Sequence, residues 1–288
     1  MTTRSFQATS QGALVMHVAS PIGRVKALVD PRLRHAQVTV ETGEDSGRFA
    51  DAVAATEFTE ERIDYGNRVR VTVPEVRPVT HRNAGSTYNF GGSSYNFGAD
   101  VTFASGGNFG SVSGIQTTAD GDVFIGGQKV VQGGRVVADR GTVVSGPAAT
   151  ITVTVRLPRG CDLLLSTTSA ELEAVGDLSA VGVSSVSGSI ELGGMVDRLR
   201  VETVSADVVA ESISRSVSFS SASGSIEVLS YSGDDFEATS MSGSVRATVT
   251  PAASNSLRAR SMTGDVVTSG ARHLDLKTSS VSGRVRNH

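Results

Sequence analysis

Hydroxyl side chains are the most regular candidates for chemistry in this chain, because they recur in pairs at a nearly constant spacing. The pattern Ser/Thr-x-Ser/Thr, followed by Gly or Ala and by an aliphatic residue three positions past the second hydroxyl, occurs seven times after residue 166. Successive copies start 18, 18, 18, 19, 21 and 19 residues apart. The paired hydroxyls belong to Thr167 and Ser169, Ser185 and Ser187, Thr203 and Ser205, Ser221 and Ser223, Ser240 and Ser242, Ser261 and Thr263, and Ser280 and Ser282. If both columns face solvent, they form a flat lattice that could bind a repetitive ligand such as a glycan, a polymer or ice.

The acidic residues do not suggest a hydrolase. A β-helical lyase or hydrolase needs clustered carboxylates, or a base, beside a substrate groove. Here the carboxylates come once or twice per repeat and are expected in different columns: Glu171, Glu191, Asp207, Glu227 and Asp265. We interpret them as side chains spread over the surface of the strands and not as a catalytic group. A carbohydrate-active β-helix enzyme is the less favoured alternative.

Histidine and cysteine give no site either. The five histidines are dispersed, and although His273 and Asp275 could place two ligands on one side of a strand, no third ligand is evident. Cys161, the single cysteine, has no neighbouring His and is expected to be a small residue at the start of a strand. The sequence therefore predicts no catalytic residue, no metal and no cofactor.

Charge and composition exclude several further classes. The formal net charge is -3, which gives no electrostatic case for nucleic acid as a partner. The first residues lack the apolar core of a signal peptide, and no run approaches the length of a membrane span. A cytoplasmic location without membrane insertion is the expectation.

The spacing of the copies predicts the architecture that must position the hydroxyls. A period near 20 residues is typical of a solenoid, in which each repeat buries its apolar side against its neighbours. About 18 residues at roughly 3.3 Å each give a perimeter near 60 Å, which suits a three-sided, single-stranded β-helix. We expect an all-β protein with a right-handed coil, since β-connections have that usual chirality.

Two aliphatic columns define the predicted interior. The first lies six residues before the second hydroxyl and the second lies two residues further on, so that in a strand the two share a face. The first column is Leu163, Val181, Leu199, Val217, Phe236, Leu257 and Leu276, and the second is Leu165, Val183, Val201, Phe219, Ala238, Ala259 and Thr278.

The orientation of the hydroxyls depends on where the coil bends. The central x is apolar in six of the seven copies, which favours an inward position: Thr168, Val186, Val204, Ala222, Met241, Met262 and Val281. Its parity is opposite to that of the aliphatic columns, so this interpretation requires a corner between them, with both hydroxyls outside and the following Gly or Ala at the next bend. The rival arrangement has no corner there and places the hydroxyls inside, as ladders bonded from rung to rung.

Changes in composition along the chain divide it into three segments. Residues 1–81 form an N-terminal β-region with period-two alternation and one short helical candidate around Phe49–Ala55. Residues 82–148 form an insertion rich in Gly, Ser, Asn and Tyr, which repeats Tyr-Asn-Phe-Gly at 88 and 95 and ends in what resemble degenerate rungs. Residues 149–288 hold the regular repeats. The insertion is either an irregular segment or a self-associating one.

The repeat resembles the bacterial "putative adhesin" family of β-strand-repeat proteins. Its units here are the Ser-Gly-x-Val/Ile segments at 187–190, 223–226 and 242–245, and the Leu-Pro-x-Gly segment at 157–160. The match covers about 150–288 well and 14–75 loosely. This resemblance implies a β-helical fold and adhesion or assembly, with no catalytic residue to carry over.

Together these observations predict a non-enzymatic structural or interaction protein. The last repeat carries no recognisable cap, so we expect an assembly edge at Val281, Val285 and Arg286, through which copies form a homo-oligomer or filament. Arg284 and Arg286 could instead blunt this edge by charge. Recognition of a repetitive ligand by the hydroxyl face is the alternative function.

Overall fold

The protein forms two compact units, residues 1–76 with 149–288 and residues 77–148. The computed structural model describes residues 1–64, 66–76 and 150–288, together with the backbone of six strands between residues 87 and 136.

Short strands make up most of the first unit, with one α-helix, α1 (Arg48–Ala54), and one 3-10 turn (Ala271–His273). The strands that precede the second unit are β1 (Thr2–Gln7), β2 (Val15–Ala19), β3 (Ile22–Val29), β4 (Gln37–Thr42), β5 (Glu57–Ile63) and β6 (Gly66–Thr72). The second unit holds β7 (Thr87–Phe90), β8 (Ser93–Asn96), β9 (Ile115–Thr117), β10 (Val123–Ile125), β11 (Gln128–Gln132) and β12 (Arg135–Val136). The chain then continues through β13 (Ile151–Leu157), β14 (Asp162–Ser166), β15 (Ser169–Val175), β16 (Leu178–Ser185), β17 (Ser189–Thr203), β18 (Asp207–Ser221), β19 (Ile226–Tyr231), β20 (Asp235–Ser240), β21 (Val245–Val249), β22 (Ser256–Ser261), β23 (Val266–Ser269), β24 (Asp275–Ser280) and β25 (Val285–Asn287).

Parallel pairing from coil to coil makes the repeats a β-solenoid with two long sides. On the first long side, β14, β16, the C-terminal halves of β17 and β18, β20, β22 and β24 stack in register, so that Leu163 pairs with Val181 and Val181 with Leu199. On the second long side, β15, the N-terminal halves of β17 and β18, β19, β21, β23 and β25 stack in the same way. The β-solenoid that the period predicts is therefore confirmed.

A short third side closes each coil between the two long ones. Its inward residues form a buried column, Leu178, Val196, Ile213, Tyr231 and Val249, that is paired from coil to coil. The parity of the buried positions changes between Val196 and Leu199, and this change marks the corner between the short side and the first long side.

Both predicted aliphatic columns lie in the core. Every member is buried except Leu276 and Thr278 in the last coil, which are half-buried. The residues between the two columns face solvent, as the charged Arg200 and Glu237 illustrate. Each fully buried Val, Leu or Ile contributes about 1.5–3 kcal/mol by leaving water, so the stacked columns provide the main stabilisation of the rod.

The N-terminal strands belong to the same sheet as the repeats. β2 pairs in parallel with β14 and β6, and β3 pairs in parallel with β15 and β13. Beyond these strands the pairing becomes antiparallel, with β5 outside β6 and β4 then β1 outside β13. The helix predicted around Phe49–Ala55 is present as α1, whose Phe49 and Val53 are buried against the core.

The six strands described in the second unit pair antiparallel. β7 and β8 pair antiparallel, and Tyr88 lies opposite Tyr95 in this register. β9 to β12 form a four-stranded antiparallel sheet. Much of the range 119–148, where degenerate rungs are predicted, lies outside the described residues. The strands described there, β10 to β12, pair antiparallel with their sequence neighbours, whereas the regular coils pair in parallel. The alternative prediction, that the insertion self-associates, concerns residues outside the described part of the chain.

Candidate functional site

The Ser/Thr-x-Ser/Thr turns join the two long sides of each coil, and the first hydroxyl of each turn points inward. Six of the seven strands that lead into these turns end on this hydroxyl, at Ser185, Thr203, Ser221, Ser240, Ser261 and Ser280. Because the strand runs through that residue, the hydroxyl keeps the parity of the two aliphatic columns before it. The corner predicted at this point is therefore absent, and the chain turns only afterwards.

Each first hydroxyl forms a hydrogen bond with the backbone of its own turn. In six of the seven turns the donor is the backbone N–H three residues later, at 2.7–3.0 Å, as from Gly243 to Ser240. The exception is Ser185, which donates to the carbonyl of Ser187 at 2.7 Å. A hydroxyl that bonds a nearby backbone group in this way is a common device for stabilising turns.

Several first hydroxyls also connect neighbouring coils. Ser240 donates to the carbonyl of Gly224 at 3.1 Å, Ser261 to that of Gly243 at 2.9 Å, and Ser280 to that of Gly264 at 2.8 Å. Ser185, Ser221, Ser240 and Ser261 are 3–8% exposed, and Thr167, Thr203 and Ser280 are half-buried. The prediction that both hydroxyl columns face outward is wrong for the first column, which forms the rung-to-rung ladder of the rival arrangement.

The second hydroxyl of each turn lies at the surface. Ser169, Ser205, Ser223, Ser242, Thr263 and Ser282 are exposed and Ser187 is half-buried. Ser205 donates to the carbonyl of Val186 at 3.2 Å and Thr263 to that of Met241 at 3.3 Å, so these hydroxyls bind the coil below rather than pointing freely into solvent. The outward prediction is correct for this column.

The central x residues lie outside, which corrects their predicted position. Val186, Val204, Met241, Met262 and Val281 are 48, 50, 55, 51 and 80% exposed, and Ala222 is half-exposed. The physical reason is that the inward place in each turn belongs to a hydroxyl that is bonded to the backbone, which leaves x on the opposite face. We call the column of Val186, Val204, Ala222, Met241, Met262 and Val281 the apolar ridge.

Backbone hydrogen bonds hold the apolar ridge in register. The N–H after each ridge residue donates to the carbonyl of the ridge residue below, as from Ser205 to Val186 at 2.9 Å and from Thr263 to Met241 at 2.9 Å. The ridge residues are therefore stacked at the spacing of the coils, about 4.8 Å. The sequence signal for the ridge is that x is apolar in six of the seven copies. This signal indicates an outward column once the first hydroxyl is assigned to the inward place in the turn.

The glycine of each turn is required by the stacking of coils. A Cβ on Gly243 would lie 1.9 Å from the carbonyl oxygen of Gly224, and a Cβ on Gly264 would lie 2.1 Å from that of Gly243. Gly188 alone of the turn glycines has a left-handed φ, of 130°. At most turns, therefore, glycine is needed because the neighbouring backbone approaches closely, and not because the chain has a positive φ there.

The carboxylates of the second long side serve the sheet. Asp207 accepts the N–H of Ser225 at 2.8 Å and Asp265 that of Arg284 at 2.8 Å, each from the next coil. Glu171 pairs with Arg24 at 2.7 Å. Two pairs share a column, contrary to the expectation of separate columns. Glu191 and Glu227 have Val209 between them. Asp207 and Asp265 have Ser225 and Ser244 between them.

The histidines and the cysteine that the structure describes take part in local packing. His17 lies 3.1 Å from the hydroxyl of Ser166, and burial together with Arg70 and Arg68 lowers its pKa. Cys161 is fully buried beside β14, and burial raises the pKa of its thiol. Within the described ranges, no three His, Cys, Asp or Glu side chains converge as they would around a metal ion.

The predicted assembly edge divides into two features. Val281 belongs to the apolar ridge, whereas Val285 and Arg286 lie in β25, an outermost strand of the described sheet. Inside this last coil, Thr268 donates to the Asn287 side-chain oxygen at 2.7 Å, and the Asn287 amide donates to Thr278 at 3.0 Å. The interior therefore changes from apolar to polar at this edge.

These features define a β-solenoid whose coils are fastened by inward hydroxyls and whose surface carries an apolar ridge. Residues 116–288 match the model of the Toastrack DUF4097 family, and the chain belongs to this family. The match spans all seven turns. No curated protein matches the chain.

Solved structures described as putative adhesins resemble the chain at low identity. That from Bacteroides fragilis is 14% identical with a TM-score of 0.48, and the alignment covers 99% of this chain and 96% of the other. Those from Parabacteroides distasonis and Parabacteroides merdae are 11% and 9% identical with TM-scores of 0.41 and 0.42, covering 99% and 100% of this chain and 97% and 96% of theirs. The resemblance to this group that the repeat units suggested is confirmed. Among the helices of the described residues, none is long and apolar enough to cross a bilayer.

Proposed function

We propose that this protein is an interaction scaffold, in which the rigid solenoid presents the apolar ridge to a macromolecular partner. The observation that carries the proposal is the exposure of about half or more of the side chain at five of the six ridge residues. Single exposed apolar residues are ordinary on protein surfaces, but a contiguous apolar strip marks an interaction site.

The setting of the ridge supports this role. Hydroxyls flank its middle on both sides, with Ser223 and Ser242 on one side and Ser220 and Thr239 on the other. The middle of the ridge is therefore free of charge, which lowers the cost of removing it from water. Because the backbone of every coil is fixed by its neighbours, the ridge is presented without an ordering penalty.

Recognition of a repetitive ligand by paired hydroxyls is a weaker alternative. It needs two outward columns, whereas the first hydroxyls are inward and bonded to the backbone. The outer hydroxyls that remain are the second column and the column two residues before the ridge. These two columns border the apolar ridge, so a ligand on them would contact the ridge as well.

End-to-end assembly through β24 and β25 is the second candidate function. The observation that favours it is that both are outermost strands whose backbone edge could pair with another strand. Against it, Asn287 joins Thr268 and Thr278 in a hydrogen-bonded group inside the last coil, and Arg284 and Arg286 are exposed beside it. Polar inward residues and charge are both devices that discourage edge pairing.

Site-specific photo-crosslinking in cells tests the scaffold proposal. A photoreactive amino acid at Met241 is expected to give covalent adducts with a macromolecule, identified by mass spectrometry. The matched control is the same amino acid at Glu237, which is exposed on the same long side but away from the ridge. Adducts of equal yield from both positions, or none from Met241, would contradict the proposal.

A further inference from the structure

We infer that the partner of the apolar ridge is a second copy of this chain, packed side by side and antiparallel. This inference rests on the proposed scaffold function and adds the identity of the occupant. Side chains along the ridge, and along the exposed column beside it, follow an order that suits such a pair. Coils 2 to 7 are numbered here by their ridge residues, from Val186 to Val281.

A two-fold axis perpendicular to the solenoid axis places two ridges face to face in opposite directions. If it passes between coils 4 and 5, coil 4 of one copy faces coil 5 of the other, coil 3 faces coil 6 and coil 2 faces coil 7. Such an interface is isologous and closes at a dimer, because the same patch is used by both copies.

Side-chain size is complementary in this register. Ala222, the smallest ridge residue, faces Met241 of the other copy, and by symmetry Met241 faces its Ala222. Val204 faces Met262 and Val186 faces Val281. A small residue opposite a long, adaptable one fills the space between two ridges without a gap or an overlap.

Charge is complementary in the same register. The exposed column two residues before the ridge is Ser184, Glu202, Ser220, Thr239, Arg260 and Ser279. The two-fold axis brings this column opposite itself, so that Glu202 of coil 3 faces Arg260 of coil 6, twice per dimer. Within one chain these two residues are three coils apart, roughly 14 Å along the rod, and cannot pair directly.

Other registers lose this agreement. Shifting the axis onto coil 3 places Glu202 opposite Glu202, and shifting it onto coil 6 places Arg260 opposite Arg260. A parallel pair of ridges places Ala222 opposite Ala222 and Glu202 opposite the second hydroxyls. The present contact of Glu202, to Arg200 at 2.6 Å, is an exposed ion pair that contributes little and can rearrange.

The size of the ridge sets the expected affinity. Six coils at about 4.8 Å give a contact strip roughly 25–30 Å long. One apolar column with its two borders offers less than the roughly 800 Å² per partner of a standard stable interface. We therefore expect a weak dimer that dissociates on dilution and weakens with salt.

Sedimentation of charge-reversal variants tests the inference. Wild-type chain is expected to show a monomer–dimer equilibrium over a concentration series up to about the millimolar range, as fits a small interface. Glu202→Arg or Arg260→Glu alone should weaken the dimer at least about tenfold, because each places like charges opposite one another twice. The double variant E202R/R260E should restore it, and so should an equimolar mixture of the two single variants.

The mixture separates the inference from effects on folding, because each chain carries only its own single substitution. The charge-matched control is Glu191→Arg mixed with Arg246→Glu, both exposed on the second long side, and it should change nothing. A wild-type chain that stays monomeric, or a dimer that both single variants leave intact, would overturn the inference. If that monomeric chain still gives ridge-specific adducts to another molecule, or binds phosphatidylcholine vesicles through the ridge, the scaffold function stands and the second copy as partner is wrong.

Discussion

The hydroxyl of Ser240 accepts a hydrogen bond from the N–H of Gly243 at 2.9 Å and donates one to the carbonyl of Gly224, one coil below, at 3.1 Å. One inward side chain thus fastens its own turn and joins two coils. The same arrangement turns Met241 outward, so the fastening of the solenoid and the exposure of the apolar ridge have one cause.

The first prediction concerns this hydroxyl. Ser240→Ala leaves the N–H of Gly243 and the carbonyl of Gly224 without this partner in a buried turn, and should lower the free energy of unfolding by about 1–3 kcal/mol. Ser242→Ala, two residues away and exposed, is the matched control and should change it by less than about 0.5 kcal/mol. Denaturant unfolding of both variants measures the difference, and equal effects would contradict the assigned orientation.

The second prediction concerns the glycine of the same turn. Gly243→Ala brings a methyl group within 1.9 Å of the carbonyl oxygen of Gly224, so the coils must separate locally. We expect a loss of more than about 3 kcal/mol or failure to fold, as for severe overpacking. Gly43→Ala serves as the control because its Cβ would meet nothing within 4 Å, and it should be neutral or slightly stabilising. A well-folded Gly243→Ala chain of unchanged stability would show that coils are not stacked this closely.

The third prediction concerns pH and the outer N-terminal strand β5. Desolvation alone would raise the pKa of Glu60, but hydrogen bonds from Thr9 and Ser10 outweigh it and lower the pKa from 4.5 to about 2. A lowered folded-state pKa adds stability at neutral pH, which is lost as the pH falls from about 4.5 towards 2. Glu60→Gln should therefore be less stable than wild type at pH 7, with the difference shrinking as the pH falls through this window.

Denaturant unfolding of wild type and Glu60→Gln between pH 7 and pH 2.5 provides the measurement. Glu57→Gln, on the same strand and exposed, is the control and should follow the wild-type curve. A difference between wild type and Glu60→Gln that stays constant across this range would mean that the carboxylate charge has no part in holding β5.

The fourth prediction compares a core residue with a ridge residue from neighbouring positions. Leu257→Ala opens a cavity at a fully buried site and should cost about 2–5 kcal/mol. Met262→Ala removes a half-exposed side chain and should change the stability of the monomer by less than about 0.5 kcal/mol. Thermal or denaturant unfolding at low protein concentration measures both, and a large effect of Met262→Ala would place it in the core.

Strand periodicity explains what the sequence could reveal. The columns through Leu163 and Leu165 were predictable because a strand buries every second residue, and the coil length was predictable from the repeat. The orientation of the turn was not, because the apolar character of Met241 favoured burial and the competing effect is invisible in one repeat. That effect is the bonding of the Ser240 hydroxyl to two backbone groups, one of which belongs to the coil below.

Long-range pairing explains most of the remaining differences. Nothing in the alternation of Val25 and Ala27 reveals that β3 pairs with β13 and β15, more than a hundred residues later. Likewise, the segment around Val123 has the composition of a rung but pairs antiparallel with its sequence neighbour β11. Local patterns predict strands well, whereas the partner of a strand depends on the rest of the fold.

Thiol accessibility at two neighbouring positions tests the orientation of the ridge, on which the functional proposals depend. The native Cys161 is buried and should not react with a thiol reagent in the folded chain, so a single introduced cysteine can be followed. Val204→Cys, on the ridge, should react at nearly the rate of a free thiol, and Val201→Cys, in the core, only after unfolding. Fast reaction at 201 with protection at 204 would contradict the account, because the apolar column would then lie inside the solenoid and leave no ridge to bind a partner.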